Sequence, residues 1–592
     1  MTTGIPIAVI GLGGRFPGSD GPDANGPSTD GVDALWTVLR NEVDAIRDVP
    51  AGRWPSSEAA DERGGFIEQG DWFDAPLFGI TDREAERMDP QQGLVLEAGW
   101  QALEHAGLAP DSLAGAGVGV FVGASTCDFD RRLALLDDLD ARAATGGSGS
   151  IVANRLSYTL GVCGPSLSID VACASSLAAV HLACQALQLG ECDLALAGGV
   201  QLILSPVNMR AFTRGGMLAR DGRTKSFSAQ ADGYGCGEGC GMIALKRLDE
   251  AVRDRDTIWA IVRGSAVNHN GASNGLSAPF GRAQELLLRR ALALGDVAPA
   301  SIGYVEAHSA GTLLGDAIEV KALKHVLSEG RDADRPCLLG SVKPNLGHLE
   351  GAAGIASLMK AILAMHHGWI PKTLHCDPIS GHLQLANSAL RVASVSQPWP
   401  AHNHPRRAGV SAFSFGGANA HIVLEQAPPT PARAPVPARD RWVLPIGAAS
   451  RGALRVLASR YVEHLATVAA AADPQTACAD LCYTASVGRA HLPHRLAVIA
   501  ETPERARQRL LAFLGERSGG WLYGYVSTPQ GAAEAAGGDA NALARAYVTG
   551  AGPDWRAVYA DGSYRRQPQP TYAFERRRYW MMPDAALALR QA

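Results

Sequence analysis

The chain has 592 residues, 46% of them hydrophobic, and its formal net charge at pH 7 is −5. This length exceeds that of one ordinary domain, so we expect one large globular domain and something smaller. The charge balance lacks the cationic excess typical of proteins that bind nucleic acid or anionic membranes, and no apolar run reaches membrane-spanning length. We therefore expect a cytoplasmic protein with neither nucleic acid nor membrane as a partner.

The elements predicted from residue 5 to about 425 alternate short apolar, β-branched runs with helical patterns. Examples of the strand-like runs are "IAVIGLG", "GVGVFVGAS", "CDLALAGGV" and "ANAHIVLEQ". Such alternation predicts an α/β architecture in which helices pack against sheets. The stretch "APPTPARAPVPARDRW" that follows is rich in proline, alanine and arginine, which is typical of an extended linker. We place the first domain boundary at about residue 426.

The remaining third of the chain predicts a smaller α/β unit and a tail. Residues 440–520 again mix strand-like runs, such as "HRLAVIAET", with helical patterns such as "ERARQRLLAFLGE". The stretch "GAAEAAGGDA" predicts a flexible connector. The aromatic, arginine-rich end "PTYAFERRRYW" is too short to be a nucleic-acid footprint, and we interpret it as an anchor that packs back onto the large domain.

The eleven cysteines are scattered and show neither a zinc spacing nor a disulfide framework. Cys236 and Cys240 lie in "GYGCGEGCG", where the glycines favour tight backbone packing over tetrahedral ligation, and we predict no metal site. Cys173 differs, because "DVACASSL" follows a strand-like segment and opens a helical pattern. A helix N-terminus stabilises a thiolate, so Cys173 is a candidate nucleophile, although a buried structural cysteine is the alternative.

Two histidines lie in other glycine-rich segments. His308 follows the strand-like "IGYVEA" in "VEAHSAGTLLGDAIE", and His348 lies in "SVKPNLGHLEGAAG", preceded by Lys343. A thiolate together with two imidazoles suits acyl-thioester chemistry, since imidazoles can act as bases or donors toward an enolate and its oxygen.

Seven ordered motifs across some 400 residues resemble the ketosynthase domain of modular type I polyketide synthases. They are "MDPQQGLVLEAGWQALEHAG", "GPSLSIDVACASSL", "KSFSAQADGYGCGEGCGMIALKRL", "NGASNGLSAP", "EAHSAGTLLGDAIE", "SVKPNLGHLEGAAG" and "SAFSFGGANAHIVLE". The resemblance implies a thiolase-like fold of five layers, α-β-α-β-α, in residues 1–426. It also implies that residues 427–520 form a ketosynthase-to-acyltransferase-type linker domain, and that residues 521–592 form a connector and a tail that packs back on the ketosynthase.

The resemblance also implies roles for individual residues. Cys173 accepts an acyl chain from the phosphopantetheine of an acyl carrier protein, His308 and His348 support formation of a carbon nucleophile, and Lys343 organises the second histidine. The backbone N–H groups of Cys173 and Phe415 form the oxyanion hole. The expected contacts to substrate or pantetheine are Ser309, Ala310, Thr312, Asn345, Gly416 and Gly417. No bound cofactor is implied, and the expected partners are an acyl carrier protein and a second copy of the chain in a homodimer.

The sequence departs from the family pattern around this site. Extending ketosynthases carry H-G-T-G-T where this chain has "HSAGT", so Ala310 replaces a threonine hydroxyl. The linker-like and tail-like segments have no acyltransferase between them, which predicts a free-standing enzyme supplied by a carrier in trans. Other departures are Val171, Ala174, His269, Asn270 and Ala317.

Three hypotheses follow from these departures. The favoured one is cyclisation within one bound chain, an aldol step followed by lactone release, as in the ketosynthase-like bicyclases that make γ-lactam-β-lactone products such as salinosporamide. The alternative is decarboxylative chain extension with a malonyl carrier supplied in trans. A further alternative is acyl transfer without extension.

Overall fold

The computed structural model describes residues 4–580, except 20–30, 55–61, 126–127, 135–139, 333, 387, 401–403, 431–432, 434, 438, 529–538, 561 and 563. The predicted connector "GAAEAAGGDA" lies almost entirely outside the described residues.

The strands, in chain order, are β1 (Ile7–Arg15), β2 (Arg47–Asp48), β3 (Arg63–Gly65), β4 (Trp72–Phe73), β5 (Val118–Ala124), β6 (Ser166–Ile169), β7 (Leu194–Gln201), β8 (Cys236–Gly237), β9 (Gly239–Arg247), β10 (Ala260–His269), β11 (Tyr304–Glu306), β12 (Cys337–Gly340), β13 (Trp369–Ile370), β14 (Leu390–Val392), β15 (Gln397–Pro398), β16 (Arg407–Phe413), β17 (Ala418–Gln426), β18 (Trp442–Ala448), β19 (His494–Ala500), β20 (Trp521–Tyr525) and β21 (Arg577–Arg578).

The α-helices are α1 (Val32–Arg40), α2 (Asp82–Ala85), α3 (Pro90–His105), α4 (Asp128–Leu133), α5 (Ala141–Gly147), α6 (Ile151–Leu160), α7 (Ser175–Leu189), α8 (Val207–Arg214), α9 (Leu248–Arg253), α10 (Gly281–Leu294), α11 (Leu313–Leu327), α12 (Lys343–Leu346), α13 (Ala353–His367), α14 (Arg451–Ala469), α15 (Pro474–Val487), α16 (Pro503–Leu514), α17 (Ala540–Thr549) and α18 (Trp555–Val558).

A mixed sheet of 11 strands forms the centre of the large domain, in the order β14-β12-β11-β16-β17-β10-β1-β9-β7-β5-β6. Helices α7 and α13 contact strands from both halves of this sheet, which therefore folds around them. Outside one half lie α3 and α6, and outside the other lie α10 and α11. The layers are thus α-β-α-β-α, as the sequence predicted, and the two β layers are joined through the β1–β10 pair.

The composition of α13 explains its central place. Every residue from Ala353 to Met365 is buried, and all of them but Ser357 and Lys360 are apolar or glycine, so the helix must be covered on all sides. Lys360 forms a buried ion pair with Glu306 at 3.0 Å. The segment Ala172–Leu189 is also apolar, and by length and composition alone it could cross a membrane. Because 61% of it is buried between the two β layers, we interpret it as a core helix.

A second, smaller sheet has the antiparallel order β18-β19-β20, with α14, α15, α16 and α17 packed around it. Its third strand, β20, and the helix α17 both come after residue 520. The small sheet therefore extends into the segment predicted as connector and tail.

The end of the described chain lies against the large domain. Strand β21 pairs with β4 in an antiparallel register, Arg576 forms an ion pair with Glu97 at 2.7 Å, and Arg578 forms one with Asp71 at 2.6 Å. Both acceptors are buried, so these contacts are partly shielded from solvent. The tail anchor predicted from "PTYAFERRRYW" lies at this surface.

Candidate active site

Cys173 lies in a tight turn, Ala172–Ala174, between β6 and the first residue of α7. Ala172 has a φ of +55°, which an L-residue adopts only when its surroundings hold it there. The hydroxyl of Ser175 provides that hold, because it donates to the Ala172 carbonyl at 2.6 Å and accepts the Val171 N–H at 2.9 Å. The turn presents the Cys173 side chain, 9% exposed, to a pocket.

His308 follows strand β11 and is held by an acid on α11. The two oxygens of Glu319 accept the backbone N–H of His308 at 2.8 Å and that of Ser309 at 2.7 Å. Ser309 has a φ of +24°, so the loop is locally strained where Glu319 holds it.

His348 follows α12, the short helix after β12, and β12 is the parallel neighbour of β11 in the sheet. The Nδ1 of His348 accepts the backbone N–H of Glu350 at 2.9 Å, which places the ring proton of the neutral imidazole on Nε2. The His308 and His348 rings meet edge to face with centroids 5.4 Å apart. The fold thus joins two histidines that are 40 residues apart in the sequence.

Cys173 and both histidines open into one cavity of about 150 Å³. The predicted site residues that line it are Cys173, His308, Ser309, Ala310, Thr312, His348 and Phe415. The other four predicted site residues do not line it. Lys343 is buried close to Glu319 and Cys173, Asn345 donates its side chain to the Val43 carbonyl at 3.0 Å, and Gly416 and Gly417 continue the loop of Phe415.

The backbone N–H groups of Phe415 and Cys173 both interact with the Cys173 sulfur and favour its thiolate form. Phe415 occupies the loop between β16 and β17, with its side chain 47% exposed, so its backbone is the part that faces the thiol. Two convergent N–H groups can also stabilise an oxyanion formed at an acyl group on Cys173.

Burial dominates the electrostatics of the pocket. It raises the pKa of Cys173 to about 12, with Glu350 adding to the rise and Lys343 opposing it. The helix N-terminus therefore does not by itself produce a thiolate, contrary to the sequence expectation. Burial and Lys343 hold the pKa values of His308 and His348 well below their ordinary range, so both rings are neutral at pH 7. His308 can accept a proton, whereas His348, whose Nδ1 accepts the Glu350 N–H, offers its Nε2–H as a donor.

Comparison with known proteins gives the family. Residues 5–251 match the family "Beta-ketoacyl synthase, N-terminal domain", residues 259–377 match "Beta-ketoacyl synthase, C-terminal domain", and residues 442–510 match "CurL-like, PKS C-terminal". The oxazolomycin ketosynthase domain OzmH KS7 of Streptomyces albus JA3453 is 34% identical, with a TM-score of 0.87 over 99% of this chain and 100% of that domain. The chain belongs to the ketosynthase family of polyketide synthases. Its fold is thiolase-like, and enzymes of this family are acyltransferases that form C–C bonds.

Other ketosynthases support the assignment. The ketosynthase from module 6 of the bacillaene synthase of Bacillus subtilis 168 is 33% identical, with a TM-score of 0.85 over 98% of this chain and 100% of that one. Polyketide synthase GfsA of Streptomyces halstedii is 43% identical over 530 residues, which are 87% of this chain and 7% of that protein. Erythronolide synthase EryA3 of Saccharopolyspora erythraea is 42% identical over 504 residues, which are 85% of this chain and 15% of that protein. This ketosynthase chain spans 7–24% of the length of the first curated relatives it matches.

These comparisons confirm that the chain is a polyketide synthase ketosynthase, as the sequence predicted, but they do not test the more specific predictions. The free-standing organisation, the absence of an acyltransferase, the domain boundaries, the homodimer, the cytoplasmic location and the role of each site residue stay predictions. Within the described ranges, no group of three or more His, Cys, Asp and Glu side chains could hold a metal ion, and Cys236 and Cys240 are buried free thiols.

Several residues of the ketosynthase pocket were not singled out from the sequence. Tyr234, Glu319 and Asn419 lie within the motifs that resemble the ketosynthase family, and those motifs are the only indication of them in the sequence. A motif does not tell which of its side chains faces the cavity. Gln284 lies on α10 outside any quoted motif, and only the packing of α10 against β10 brings it to the pocket.

Proposed function

We propose that Cys173 takes an acyl chain from the phosphopantetheine of an acyl carrier protein and that this site closes a ring within the chain and releases it as a lactone. The observation that carries the proposal is the composition of the pocket. It combines the thiol, two neutral imidazoles and two N–H donors with a wall in which Ala310 offers no hydroxyl. Work with acyl carrier protein domains is general for polyketide synthase ketosynthases.

Loading begins from the thiol form of Cys173. A neutral imidazole accepts the Sγ proton as sulfur adds to the carrier thioester, and the N–H groups of Cys173 and Phe415 stabilise the oxyanion. The C–S bond to pantetheine breaks, and the imidazolium returns its proton to the departing pantetheine thiolate. The chain is then a thioester of Cys173 and both histidines are neutral again.

Ring closure uses the same groups. One imidazole removes the proton at the activated α-carbon, and the resulting enolate carbon attacks a carbonyl further along the chain, which forms the C–C bond and an alkoxide. The alkoxide then attacks the Cys173 thioester, the C–S bond breaks, and the thiolate recovers the proton from the imidazolium. His308 suits the proton transfer because burial keeps it uncharged, and the Nε2–H of His348 suits donation to the enolate oxygen or the alkoxide.

The charges on the pocket favour this route over malonyl decarboxylation. Among the described residues that line it there is neither arginine nor lysine, whereas Asp316 and Glu319 both do line it. A malonyl carboxylate would therefore contact no cation on the lining itself, and the buried Lys343 nearby already faces Glu319, so burial of the malonyl charge is costly. An acyl chain on Cys173 that forms its carbon nucleophile by losing an α-proton, and not carbon dioxide, brings no carboxylate into the pocket and avoids this desolvation cost.

Decarboxylative extension is the second candidate, because Thr312 keeps its hydroxyl in the pocket and the relatives are named as polyketide synthases. A hydroxyl can hydrogen-bond a malonyl group. Acyl transfer alone is disfavoured by the presence of both histidines in the pocket with Cys173.

Intact-protein mass spectrometry with carrier-bound acyl chains tests the proposal, with and without a malonyl carrier. We expect an acyl adduct on the wild type, none on Cys173→Ala, and release of a product whose mass equals the unextended chain less the carrier when no malonyl donor is present. Cys184→Ala is the matched control, since Cys184 is a buried thiol on α7, the helix that follows Cys173, and lies outside the pocket. Product that requires the malonyl carrier and loss of carbon dioxide would refute cyclisation and establish extension.

A further inference from the structure

One wall of the Cys173 pocket is built from side-chain amides. Asn419 lies at the start of β17, Gln284 on α10 and Asn270 directly after β10, and all three line the pocket. Gln284 and Asn419 are each 2% exposed. The mechanism proposed above uses none of them.

A chain of hydrogen bonds sets the orientation of Asn419. The Asn268 amide nitrogen donates to the Ala283 carbonyl at 2.8 Å, so the Asn268 oxygen faces Asn419. The Asn419 nitrogen donates to that oxygen at 3.0 Å and to the Asn270 oxygen at 2.9 Å. Both amide hydrogens of Asn419 are then in use, and a flipped amide would set oxygen against oxygen twice.

The opposite end of the Asn419 amide is consequently an acceptor. Its Oδ1 is buried and has no hydrogen-bond partner within the part of the chain that the structure describes, and the same is true of Gln284 Oε1. Buried polar groups in native proteins are nearly always paired, so two unpaired acceptors on the wall of one cavity need a partner from elsewhere.

The pair lies close to the reacting groups. Asn419 is directly opposite Phe413 in the β16–β17 hairpin, and the Phe413 ring centroid is 5.8 Å from that of His308. The same hairpin carries Phe415 in its loop. A chain attached to Cys173 and lying along His308 therefore passes this wall within its first few atoms.

We infer that Asn419 and Gln284 form a specificity subsite for acyl chains that carry a neutral hydrogen-bond donor, a hydroxyl or an amide N–H, near the thioester. The inference rests on the proposed function, because it concerns the chain held on Cys173. The two acceptors can be satisfied only by a hydrogen-bond donor on the chain. Asp316 and Glu319 line the same pocket, and their negative charge disfavours an anion in that position. A purely alkyl chain leaves both acceptors unpaired, and a site built to hydrogen-bond its substrate rejects analogues that lack the group.

The test measures kcat/KM for acylation of Cys173 by carrier-bound chains of equal length, followed by intact-protein mass spectrometry. The chains differ in one group: an alkyl carbon, a hydroxyl, a secondary amide, or the N-methylated amide that has no N–H. We expect the wild type to prefer the hydroxyl or secondary amide chain over the alkyl chain by about ten-fold, and to lose the preference with the N-methylated amide. Which of the two donor chains is faster identifies the donor.

Two variants assign the preference to these residues. Asn419→Ala and Gln284→Leu are each expected to bring the donor-to-alkyl ratio to about two or below, as one hydrogen bond is lost. Gln569→Leu is the matched control, because Gln569 is a buried amide in the tail whose Oε1 also lacks a partner among the described residues. Since the comparison of chains on the wild type needs no variant, a variant that misfolds leaves the test intact.

The outcomes separate the two claims. Equal acylation by alkyl and donor chains, or a preference that survives both variants, overturns the inference and leaves the proposed function standing. No acylation of Cys173 by any chain overturns the proposed function, and the inference with it.

Discussion

Replacing Glu319 with glutamine tests how the fold holds the loop that carries His308. The two carboxylate oxygens of Glu319 accept separate backbone N–H groups, at 2.8 and 2.7 Å. Both oxygens of a carboxyl group keep lone pairs whether or not it is protonated, whereas the amide nitrogen of glutamine has none. Glu319→Gln therefore leaves one N–H facing another donor.

The magnitude follows from the burial of Glu319, which is 2% exposed, so that water cannot replace the lost acceptor. A buried donor without a partner costs about 1–3 kcal/mol, and we expect the free energy of unfolding to fall by about 2 kcal/mol. The larger effect is on geometry, because Ser309 at a φ of +24° relaxes once one of the bonds that hold it is gone. Misplacement of a reacting group by 1 Å can cost about 100-fold, so we expect kcat to fall by about that factor with a much smaller change in KM.

Urea denaturation measures the stability and steady-state turnover of a carrier-bound chain measures kcat and KM. Glu238→Gln is the matched control. Glu238 is fully buried, and its two oxygens accept the N–H groups of Ile203 and Ile67, each at 2.9 Å, outside the pocket. It also forms a buried ion pair with Arg53 at 2.8 Å, so Glu238→Gln should lose at least as much stability as Glu319→Gln. The Glu238→Gln enzyme is expected to lose stability while its kcat stays close to that of the wild type. A Glu319→Gln enzyme with wild-type kcat, or an equal loss of kcat in Glu238→Gln, would refute the assignment of Glu319 as a positioning residue.

Three further predictions concern a buried acid beside His348, the loop of Phe415 and the anchoring of the tail. Burial raises the pKa of Glu350 from 4.5 to about 7, so the wild type loses stability as pH rises through that interval. The free energy of unfolding of Glu350→Gln, measured by urea denaturation, should then be about that of the wild type at pH 4.5 and higher by up to about 3 kcal/mol at pH 8. A difference between the two proteins that does not change with pH would contradict this. Gly417 has a φ of +88°, and a Cβ there would lie 2.8 Å from the His269 ring, whereas a Cβ at Gly416 meets only Ser414 Oγ at 3.8 Å. Gly417→Ala should displace the Phe415 N–H and lower kcat by about 100-fold, whereas Gly416→Ala should have a kcat near that of the wild type. Equal kcat values for the two variants would count against a role of the Phe415 N–H in the oxyanion hole. Arg489 is buried and donates to carbonyls of the large domain and the tail, at 2.6 Å to Glu104 and 3.2 Å to Gln569. Arg489→Met should lower the free energy of unfolding by about 3 kcal/mol and speed proteolytic cleavage of the tail, and unchanged proteolysis would show that the tail is held elsewhere.

The sequence by itself determined the fold class and the ketosynthase family, and it singled out the candidate reactive side chains. These follow from local patterns, since alternating apolar runs form strands and helices wherever the chain lies, and motif residues such as Cys173, His308 and His348 stand in short recognisable segments. The turn before α7 is likewise local, because residues 170–175 hold it through their own hydrogen bonds.

Only the tertiary structure decided which other side chains share the cavity and what charge each carries. Gln284 and Asn419 come from α10 and β17, more than 130 residues apart, and no local pattern indicates that they meet. The pKa of Cys173 shows the same limit. The helix N-terminus predicts a stabilised thiolate, yet burial from surrounding layers raises the pKa to about 12. Burial is a property of the whole packed chain, because the desolvation of a charge depends on every atom that excludes water from it.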